Sequence, residues 1–356
     1  MTTTVLVTGG AGFIGSNLAD RLASDGYRVR VFDALARPGV ERNLQWLSAR
    51  HGDLIEPVVA DVRDADALVG AARGADVAFH FAAQVAVTTS MVDPASDLAI
   101  NINGTFNVLE AARLASRPMP VIFASTNKVY GDLVQFGSNL TADGHCPAEA
   151  QLAQAGVPET QPLDFHTPYG CSKGAADQYV LDYARSYGLP TAVLRMSCVY
   201  GERQMGTEDQ GWVAHFLIRA LEGKPVTLYG DGHQVRDILY VGDAVAAYLG
   251  AWRKIDQVQG QVFNLGGGPA NAVSLRKLLD HIGFTLGSRV QIETADWRPG
   301  DQRWFVADTR AIDAALDLPA KLDWHDGVAR LARWLAQERG LPLPGAAMPL
   351  AAAGAH

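Results

Sequence analysis

The chain begins with a short apolar run that leads into three regularly spaced glycines. Residues 5–7 are Val-Leu-Val, and Gly9, Gly12 and Gly15 follow before an amphipathic segment at 16–24. The apolar run predicts a buried strand and the segment after the glycines predicts a helix. Glycine at these positions permits a tight turn, lets phosphates approach the N–H groups at the start of the helix, and lets the helix pack closely. This feature therefore predicts a strand–turn–helix unit that binds a phosphate-bearing ligand.

The same alternation continues as far as residue 200. Six apolar runs predict buried parallel strands at 5–7, 29–32, 58–60, 77–81, 121–124 and 191–195. Amphipathic segments predict helices at 16–24, 65–72, 102–115 and 168–187. Alternation of this kind is typical of an α/β fold with a Rossmann-type, doubly wound parallel sheet, whose ligands lie at the carboxyl ends of the strands.

The pattern changes after residue 200, where segments become shorter and Gly and Pro more frequent. We expect a Rossmann domain at 1–200 and a smaller, partly discontinuous substrate-binding domain at 201–340. Residues 236–248 resemble a strand that leads into a helix, so about 236–265 are expected to cross back to the first domain. Residues 341–356 are expected to form a flexible tail. The long connection 131–167 is either a lid or a surface insertion.

Composition excludes several classes of protein. A net charge of −8 disfavours a surface for nucleic acid or anionic membrane. No signal peptide and no apolar run of about 18 residues is present, so we expect no membrane segment. The cysteines, Cys146, Cys171 and Cys198, lack the spacing of metal ligands. They are typical of reduced thiols in a cytoplasmic protein, and no bound metal is expected.

An acidic residue at the end of the second strand specifies the phosphate-bearing ligand further. Asp33 lies 24 residues after Gly9, where its carboxylate would accept hydrogen bonds from the hydroxyls of an adenosine ribose. Its charge would repel a 2′-phosphate, which favours NAD over NADP, although Arg37 nearby weakens that preference. A strand–glycine–helix unit followed by this carboxylate predicts a dinucleotide site.

Further residues that we expect to contact the cofactor follow the first, third and fourth strands: Phe13, Ile14, Asp61, Val62, Ala82, Ala83 and Gln84. The carboxylate of Asp61 is placed to hold the adenine amino group. Small residues at 82 and 83 leave room for the cofactor backbone. Asn101 begins the next predicted helix, where it is either a simple helix cap or a support of the active site.

A tyrosine and a lysine four residues apart indicate the chemistry. Tyr169 and Lys173 share one face of the helix at 168–187. A tyrosine, with an ordinary pKa of about 10, needs nearby positive charge to act as a base near neutral pH. Lys173 and an oxidised nicotinamide would supply that charge, while Thr126, at the end of the fifth strand, would orient the substrate hydroxyl. We therefore expect hydride transfer with Thr126, Tyr169 and Lys173 as catalytic residues.

These motifs together resemble the extended short-chain dehydrogenase/reductase family of nucleotide-sugar epimerases and dehydratases. The resemblance covers residues 5 to about 335 and includes the glycine loop, Asp33, Asp61, Asn101, Thr126 and the Tyr169–Lys173 pair. It implies a tightly held NAD that oxidises a sugar carbon and then reduces it again. A net dehydrogenase with exchangeable NAD, or a dinucleotide-binding protein without catalysis, are the competing interpretations; intact catalytic residues disfavour the last.

The residues after Thr126 discriminate among the reactions of the family. Members that dehydrate hexoses carry Asp-Glu there, whereas this chain has Asn127 and Lys128, which disfavours dehydration. Ser-Thr-Asn-Lys-Val-Tyr-Gly-Asp at 125–132 and the blocks at 84–90, 164–179, 209–213 and 301–303 resemble the CDP-paratose 2-epimerase branch. That likeness implies epimerisation of a nucleotide-diphosphate sugar at C2 through a keto intermediate. C4 epimerisation, decarboxylation and net oxidation remain alternatives.

An anionic substrate needs local positive charge in so acidic a chain. We expect Arg236, Arg298 and, less strongly, Arg303 to bind the diphosphate, because guanidinium groups match phosphate oxygens in pairs. The other expected substrate contacts are Thr88, Thr126, Asn127, Gln204, Gln210 and Cys198, although relatives often have Asn at the last position. The helices at 102–115 and 169–187 carry surplus apolar residues, so a homodimer or homotetramer is expected.

Overall fold

The computed structural model describes residues 3–298 and 300–342. The strands are β1 (Thr4–Thr8), β2 (Arg28–Asp33), β3 (Ile55–Val59), β4 (Val77–His80), β5 (Val121–Thr126), β6 (Asn139–Thr141), β7 (Gly144–Cys146), β8 (Thr191–Met196), β9 (Cys198–Tyr200), β10 (Val226–Tyr229), β11 (Val235–Tyr240), β12 (Gln261–Leu265), β13 (Ala272–Ser274), β14 (Ile292–Ala295) and β15 (Trp304–Phe305). The helices are α1 (Phe13–Ser24), α2 (Val40–His51), α3 (Ala65–Ala72), α4 (Val87–Val92), α5 (Pro94–Leu98), α6 (Gly104–Arg113), α7 (Ala150–Ala155), α8 (Thr167–Tyr187), α9 (Trp212–Leu221), α10 (Val241–Arg253), α11 (Ile255–Val258), α12 (Leu275–Leu286), α13 (Arg310–Leu316) and α14 (Trp324–Arg339).

A seven-stranded parallel sheet forms the centre of the molecule, in the order β3-β2-β1-β4-β5-β8-β12. This confirms the Rossmann-type fold. The strand order reverses between β1 and β4, and in such sheets the crevice beyond the carboxyl ends of those strands receives the ligand. The six strands expected from apolar runs are all present. The seventh, β12, was not predicted, because its polar Gln261 and Asn264 interrupt the apolar run.

Helices cover both faces of this sheet. On one face, α1, α2 and α10 bury Leu18, Leu47 and Tyr248 against the apolar side chains of the strands. On the other face, α3, α6 and α8 bury Leu68, Leu109 and other side chains in a second cluster. Burial on both faces explains why the central strands are almost continuously apolar.

The helix expected at 102–115 begins earlier than predicted. Helix α5 follows the cap of Asp93, whose side chain accepts a hydrogen bond from the Ser96 N–H. The chain then passes through one π-helical stretch at Ala99–Asn103 and continues as α6. Such a stretch inserts an extra residue into a helix and is frequent at functional sites.

A second region is built on smaller sheets. Strand β11 pairs with β9, β13 and β15, and β10 pairs with β14. Helices α9, α12 and α14 bury Leu217, Leu278 and Leu331 over these strands. Strand β11 leads into α10, which packs on α1, and β12 then joins the large sheet. The return to the large sheet therefore starts at α10, whereas β11 belongs to the second region.

The connection 131–167 contains the β6–β7 hairpin and α7. The His145 side chain contacts the Asp231 carboxylate at 2.7 Å, and the Val157 N–H donates to the Val306 carbonyl at 2.7 Å. The connection thus packs against the second region, which favours a surface insertion over a lid. Among the described residues, no helix is long and apolar enough to cross a membrane. The expected tail, from residue 343 onward, lies outside the described residues, and the domain limits stay predictions.

Candidate active site

An open cavity of about 490 Å³ lies beyond the carboxyl ends of the central strands. It combines the glycine turn, the end of β2, the ends of β4 and β5, and the face of α8 that carries Tyr169 and Lys173. The residues predicted to bind cofactor or substrate that line this cavity are Gly9, Gly12, Phe13, Ile14, Gly15, Asp33, Asp61, Val62, Ala82, Ala83, Tyr169, Lys173, Gln204 and Gln210. The topology therefore brings sequence-distant residues to the single crevice expected for a nucleotide.

The glycine turn is required by close backbone contacts. Gly9 has a φ of +67°, and a Cβ there would lie 2.6 Å from the Ala82 nitrogen. A Cβ at Gly15 would lie 2.2 Å from the Gly9 carbonyl oxygen, so Gly15 allows the helix to pack on the turn itself. Gly12 caps α1 without a side chain, which leaves the first N–H groups of the helix accessible to phosphate.

The carboxylate of Asp33 is held at the rim of the cavity by backbone groups. The Ala11 and Leu35 N–H groups donate to it at 3.0 and 2.9 Å. Burial raises the pKa of Asp33, and these hydrogen bonds oppose the increase. Asp61, in contrast, is engaged by the guanidinium of Arg63 at 2.9 and 2.7 Å, and this contact lowers its pKa.

The predicted catalytic pair, Tyr169 and Lys173, lies on the first turns of α8, next to the end of β5. The Lys173 ammonium donates to the Ala124 carbonyl at 2.7 Å and lies 4.1 Å from the centre of the Phe123 ring. Burial lowers the pKa of Lys173 to about 7, although the carboxylates of Asp177 and Asp97 act in the opposite direction. Desolvation thus brings the pKa of Lys173 close to neutral pH.

Tyr169 is buried beside Thr126. Burial raises the pKa of Tyr169 to about 12, and a hydrogen bond with Thr126 opposes the increase. The sequence predicts that nearby positive charge favours the phenolate; in the protein alone, desolvation is the largest influence on the pKa of Tyr169, and the negative charge of Asp97 also raises it. Thr126 in turn caps the short 3₁₀ turn Asn127–Tyr130 by accepting the Lys128 N–H at 3.2 Å. The threonine hydroxyl is thereby fixed next to the phenol.

A buried hydrogen-bond network joins α8 to Asp97, Asn101 and Gln84. The Ser172 hydroxyl, between Tyr169 and Lys173 in sequence, donates to Asp97 at 2.5 Å. The Asn101 amide donates to Ser172, Asp97 and the Gln84 carbonyl, and its oxygen accepts the Gln84 N–H. Asn101 lies inside the π-helical stretch, so the expectation of a helix cap is wrong: its side chain bonds to other segments rather than to free N–H groups of its own helix.

The segment 300–302 of the second region packs directly on the turn after β5. The Lys128 ammonium donates to the Gly300 carbonyl at 3.1 Å, and the Asn127 amide donates to Gln302 at 3.3 Å. Gln302 donates to the Gly131 carbonyl at 2.6 Å. The two regions therefore meet at the residues that follow Thr126.

Arg236, which is predicted to bind phosphate, lies beside the segment 300–302 and is already hydrogen-bonded to that segment. Its guanidinium donates to Asp301 at 2.7 Å and to the Gln302 carbonyl at 2.5 Å, and its side chain is nearly buried. Burial raises the pKa of the neighbouring Cys198 thiol, while Arg236 opposes the increase. This cluster forms the wall of the second region next to the catalytic turn.

The remaining predicted contacts lie outside the cavity lining. The Arg298 guanidinium lies 3.8 Å from the centre of the Tyr229 ring and 3.6 Å from the carboxylates of Glu208 and Asp209. Arg303 is exposed and lies 5.5 Å from the Trp297 ring. The predicted residues that do not line the cavity are Gln84, Thr88, Asn101, Thr126, Asn127, Cys198, Arg236, Arg298 and Arg303.

The chain after β9 contributes a wall of the cavity, of which the sequence indicated Gln204 and Gln210 but not Arg203 or Met205. Arg203 and Met205 line the cavity, and the Arg203 guanidinium stacks 3.8 Å above the Trp46 ring of α2. The Asn43 amide donates to the Ala11 and Arg203 carbonyls, at 3.1 and 3.3 Å. Arg203 adopts a φ of +69°, but no local pattern identifies such a position in a non-glycine residue.

Comparison with known proteins is consistent with this arrangement. Residues 5–266 match the model of the NAD dependent epimerase/dehydratase family. The chain belongs to this family. It is 42% identical over 341 residues to a CDP-paratose 2-epimerase of Salmonella typhi, which covers 93% of this chain and 98% of the relative.

Solved structures of the family share the fold. A UDP-glucose 4-epimerase of Thermus thermophilus in complex with NAD has a TM-score of 0.78 and 31% identity, over 94% of this chain and 99% of that one. A dTDP-glucose 4,6-dehydratase of Streptomyces venezuelae with NAD bound has a TM-score of 0.82 and 28% identity, over 95% and 98%. This family member is an NAD-dependent enzyme, and the free N–H groups at α1, the carboxylate of Asp33 and Lys173 fit that cofactor.

Proposed function

We propose that this enzyme epimerises a CDP-linked hexose at C2, by removing a hydride from that carbon and returning it to the opposite face. The observation that carries the proposal is the turn after Thr126, where Asn127 and Lys128 stand where an elimination would require a carboxylate. The similarity to the CDP-paratose 2-epimerase supports C2 and the CDP group.

The chain's own residues account for the proton transfers. Thr126 orients the substrate hydroxyl toward Tyr169, whose phenolate accepts the hydroxyl proton and later returns it to the keto oxygen. Lys173, held by the Ala124 carbonyl, stabilises the phenolate by its charge. Bound NAD supplies the hydride acceptor and, once reduced, the hydride donor. Burial raises the pKa of Tyr169 to about 12, and the positive charges of Lys173 and of bound oxidised NAD are proposed to stabilise the phenolate.

Absence of an acid–base pair after Thr126 separates this reaction from dehydration. Asn127 is buried and donates to Gln302, and Lys128 donates to Gly300, so the turn offers an amide and an amine but no carboxylate to accept a proton from a sugar carbon. Oxidation followed by reduction is the chemistry that the remaining groups can complete. Inversion requires the keto sugar to turn while its diphosphate remains bound, and the arginines at 236, 298 and 303 are proposed to hold it.

The experiment uses the protein as purified, with no NAD added. Denaturation should release NAD close to one equivalent per chain, and incubation with CDP-paratose or CDP-tyvelose should give a mixture of the two C2 epimers. A control with Tyr169→Phe should retain bound NAD but lose epimerisation. Inversion at C4, decarboxylation, or stoichiometric consumption of added NAD would each contradict the proposal.

We further propose a cytoplasmic homodimer, or a homotetramer built from such dimers. Helices α6 and α8 expose Phe106, Leu114, Tyr179 and Tyr187 to solvent, each by 44% or more. A row of large apolar side chains on two adjacent helices is suited to burial against a second copy. The three free cysteines support a reducing compartment. A monomeric mass by light scattering at micromolar concentration would contradict the assembly.

A further inference from the structure

Lys128 is a desolvated cation that the proposed proton transfers do not use. It follows Thr126 by two residues, and its backbone N–H donates to the Thr126 hydroxyl. Its ammonium donates to the Gly300 carbonyl at 3.1 Å and has capacity for two further hydrogen bonds. The side chain therefore extends from the catalytic threonine toward the wall of the second region.

The charges around Lys128 do not balance within the protein. The neighbouring Arg236 is paired with Asp301 at 2.7 Å, and no carboxylate of the described residues lies within ion-pair distance of the Lys128 ammonium. Burial, and then Arg236, lower the pKa of Lys128, against the carboxylates of Asp301 and Asp132. Arg236, which is buried, and Lys128, which is half-buried, thus lie near one carboxylate, that of Asp301, which is paired with Arg236 alone. Burying a charge without a counter-ion is costly, so such an arrangement is typical of a site completed by an anion.

The chemistry of the substrate indicates which anion this is. In a nucleotide sugar, C2 is bonded directly to the anomeric carbon that carries the diphosphate, whereas C4 lies across the ring. An enzyme that presents C2 to Thr126 and Tyr169 must therefore bring the diphosphate closer to the catalytic threonine than one that presents C4. Lys128 is the cation nearest to Thr126 along the chain, and its ammonium reaches Gly300 of the second region.

We propose that Lys128 binds the phosphate next to the hexose, and that its position beside Thr126 favours C2 as the reacting carbon. The ammonium donates to a phosphate oxygen while it keeps its bond to Gly300. Lys128 is thus a substrate-binding residue that sets which carbon reacts. The inference rests on the proposed function for the identity of the carbon, but phosphate binding is measured independently of turnover.

The test is calorimetric titration of the NAD-containing protein with CDP, which has the diphosphate but no hexose. We compare wild type with Lys128→Gln, which can still donate to Gly300 but lacks the charge, and with Lys128→Arg, which keeps it. A charge-assisted hydrogen bond predicts a 10- to 100-fold weaker Kd, as an order-of-magnitude estimate, for Lys128→Gln and a smaller loss for Lys128→Arg. Lys224→Met, at an exposed lysine, is the matched control and should bind CDP as wild type does.

A second measurement reports on the reacting carbon. With the CDP-hexose as substrate, Lys128→Gln should raise KM by a similar factor and allow products inverted at carbons other than C2, detected by NMR. Unchanged CDP affinity in Lys128→Gln, with normal NAD content, would overturn the inference. If wild type binds CDP and Lys128→Gln does not, yet no CDP-hexose is epimerised, the phosphate contact stands and the proposed function fails.

Discussion

A buried ion pair connects the catalytic helix to the central sheet. The Arg195 guanidinium of β8 donates to both carboxylate oxygens of Asp177 on α8, at 2.9 and 3.0 Å, and to the Tyr130 hydroxyl at 3.0 Å. The Ser125 hydroxyl of β5 donates to the same carboxylate at 2.7 Å. Asp177 is fully buried and Arg195 is 3% exposed. The pair therefore fixes Tyr169 and Lys173, one to two turns earlier on the helix, relative to the end of β5.

Removing both charges should destabilise the protein by clearly less than the two single removals added together. Arg195→Met leaves the Asp177 carboxylate buried without a counter-ion, which typically destabilises a protein by about 3–5 kcal/mol. The Asp177→Asn/Arg195→Met double variant removes both charges, so its free energy of unfolding should fall by clearly less than the sum of the two single losses. On the same helix, Arg185 forms an exposed pair with Asp182 and serves as the control. Arg185→Met should change the free energy of unfolding by less than about 1 kcal/mol.

The assay is urea unfolding of the four variants, followed by tryptophan fluorescence, with NAD content measured on each preparation. A loss in Arg195→Met as small as that in Arg185→Met would refute the reasoning. Strict additivity of the two single substitutions would also refute it, because it would show that the two charges do not interact.

Three further predictions concern the cofactor turn and the catalytic pair. Gly15→Ala should lose most of its co-purified NAD, because the new Cβ would lie 2.2 Å from the Gly9 carbonyl oxygen. The control Gly70→Ala, where the new Cβ would have open space around it, should retain NAD. Equal NAD content in the two variants would contradict this prediction. Burial lowers the pKa of Lys173 from 10.5 to about 7, so between these pH values the unfolded chain binds one proton more than the folded protein. The free energy of unfolding of the NAD-free protein, relative to that of Lys173→Met, should therefore rise with pH in this range by up to about 1.4 kcal/mol per pH unit. A difference between the two proteins that does not depend on pH would exclude the shift. Asp97→Asn removes a negative charge that raises the pKa values of both Tyr169 and Lys173, so the pH profile of kcat should move to lower pH, and an unchanged profile would show that Asp97 only supports the helix.

Much of the fold was predictable because its signals are local. The spacing of Gly9, Gly12 and Gly15 follows from backbone contacts within one turn, and the apolar runs of the central strands follow from burial on both faces. Asp33 and the Tyr169–Lys173 pair were identifiable because each has a fixed place relative to a strand end or a helix face. The structure places Asp33 at the end of β2 and Tyr169 and Lys173 on α8, and the roles of these residues stay predictions.

The remainder depends on contacts between distant segments. Lys128 meets Gly300 and Arg203 stacks on Trp46, although no local pattern relates these pairs. Strand β12 has too few apolar residues to be recognised, and it is ordered by pairing with β8. Asparagine is a residue type favoured at helix caps, but Asn101 lies in the π-helical stretch, where its side chain donates a hydrogen bond to Ser172 of α8. Tertiary packing, rather than local propensity, decides each of these features.

In the proposed reaction, the enzyme takes a hydride from C2 and returns it to the same carbon. The most direct measurement incubates the protein as purified, without added NAD, with CDP-paratose carrying deuterium at C2, and examines the product by NMR and mass spectrometry. Return of the hydride to the same carbon predicts CDP-tyvelose that retains deuterium at C2. Loss of the label to solvent, or inversion at another carbon with C2 unchanged, would contradict it.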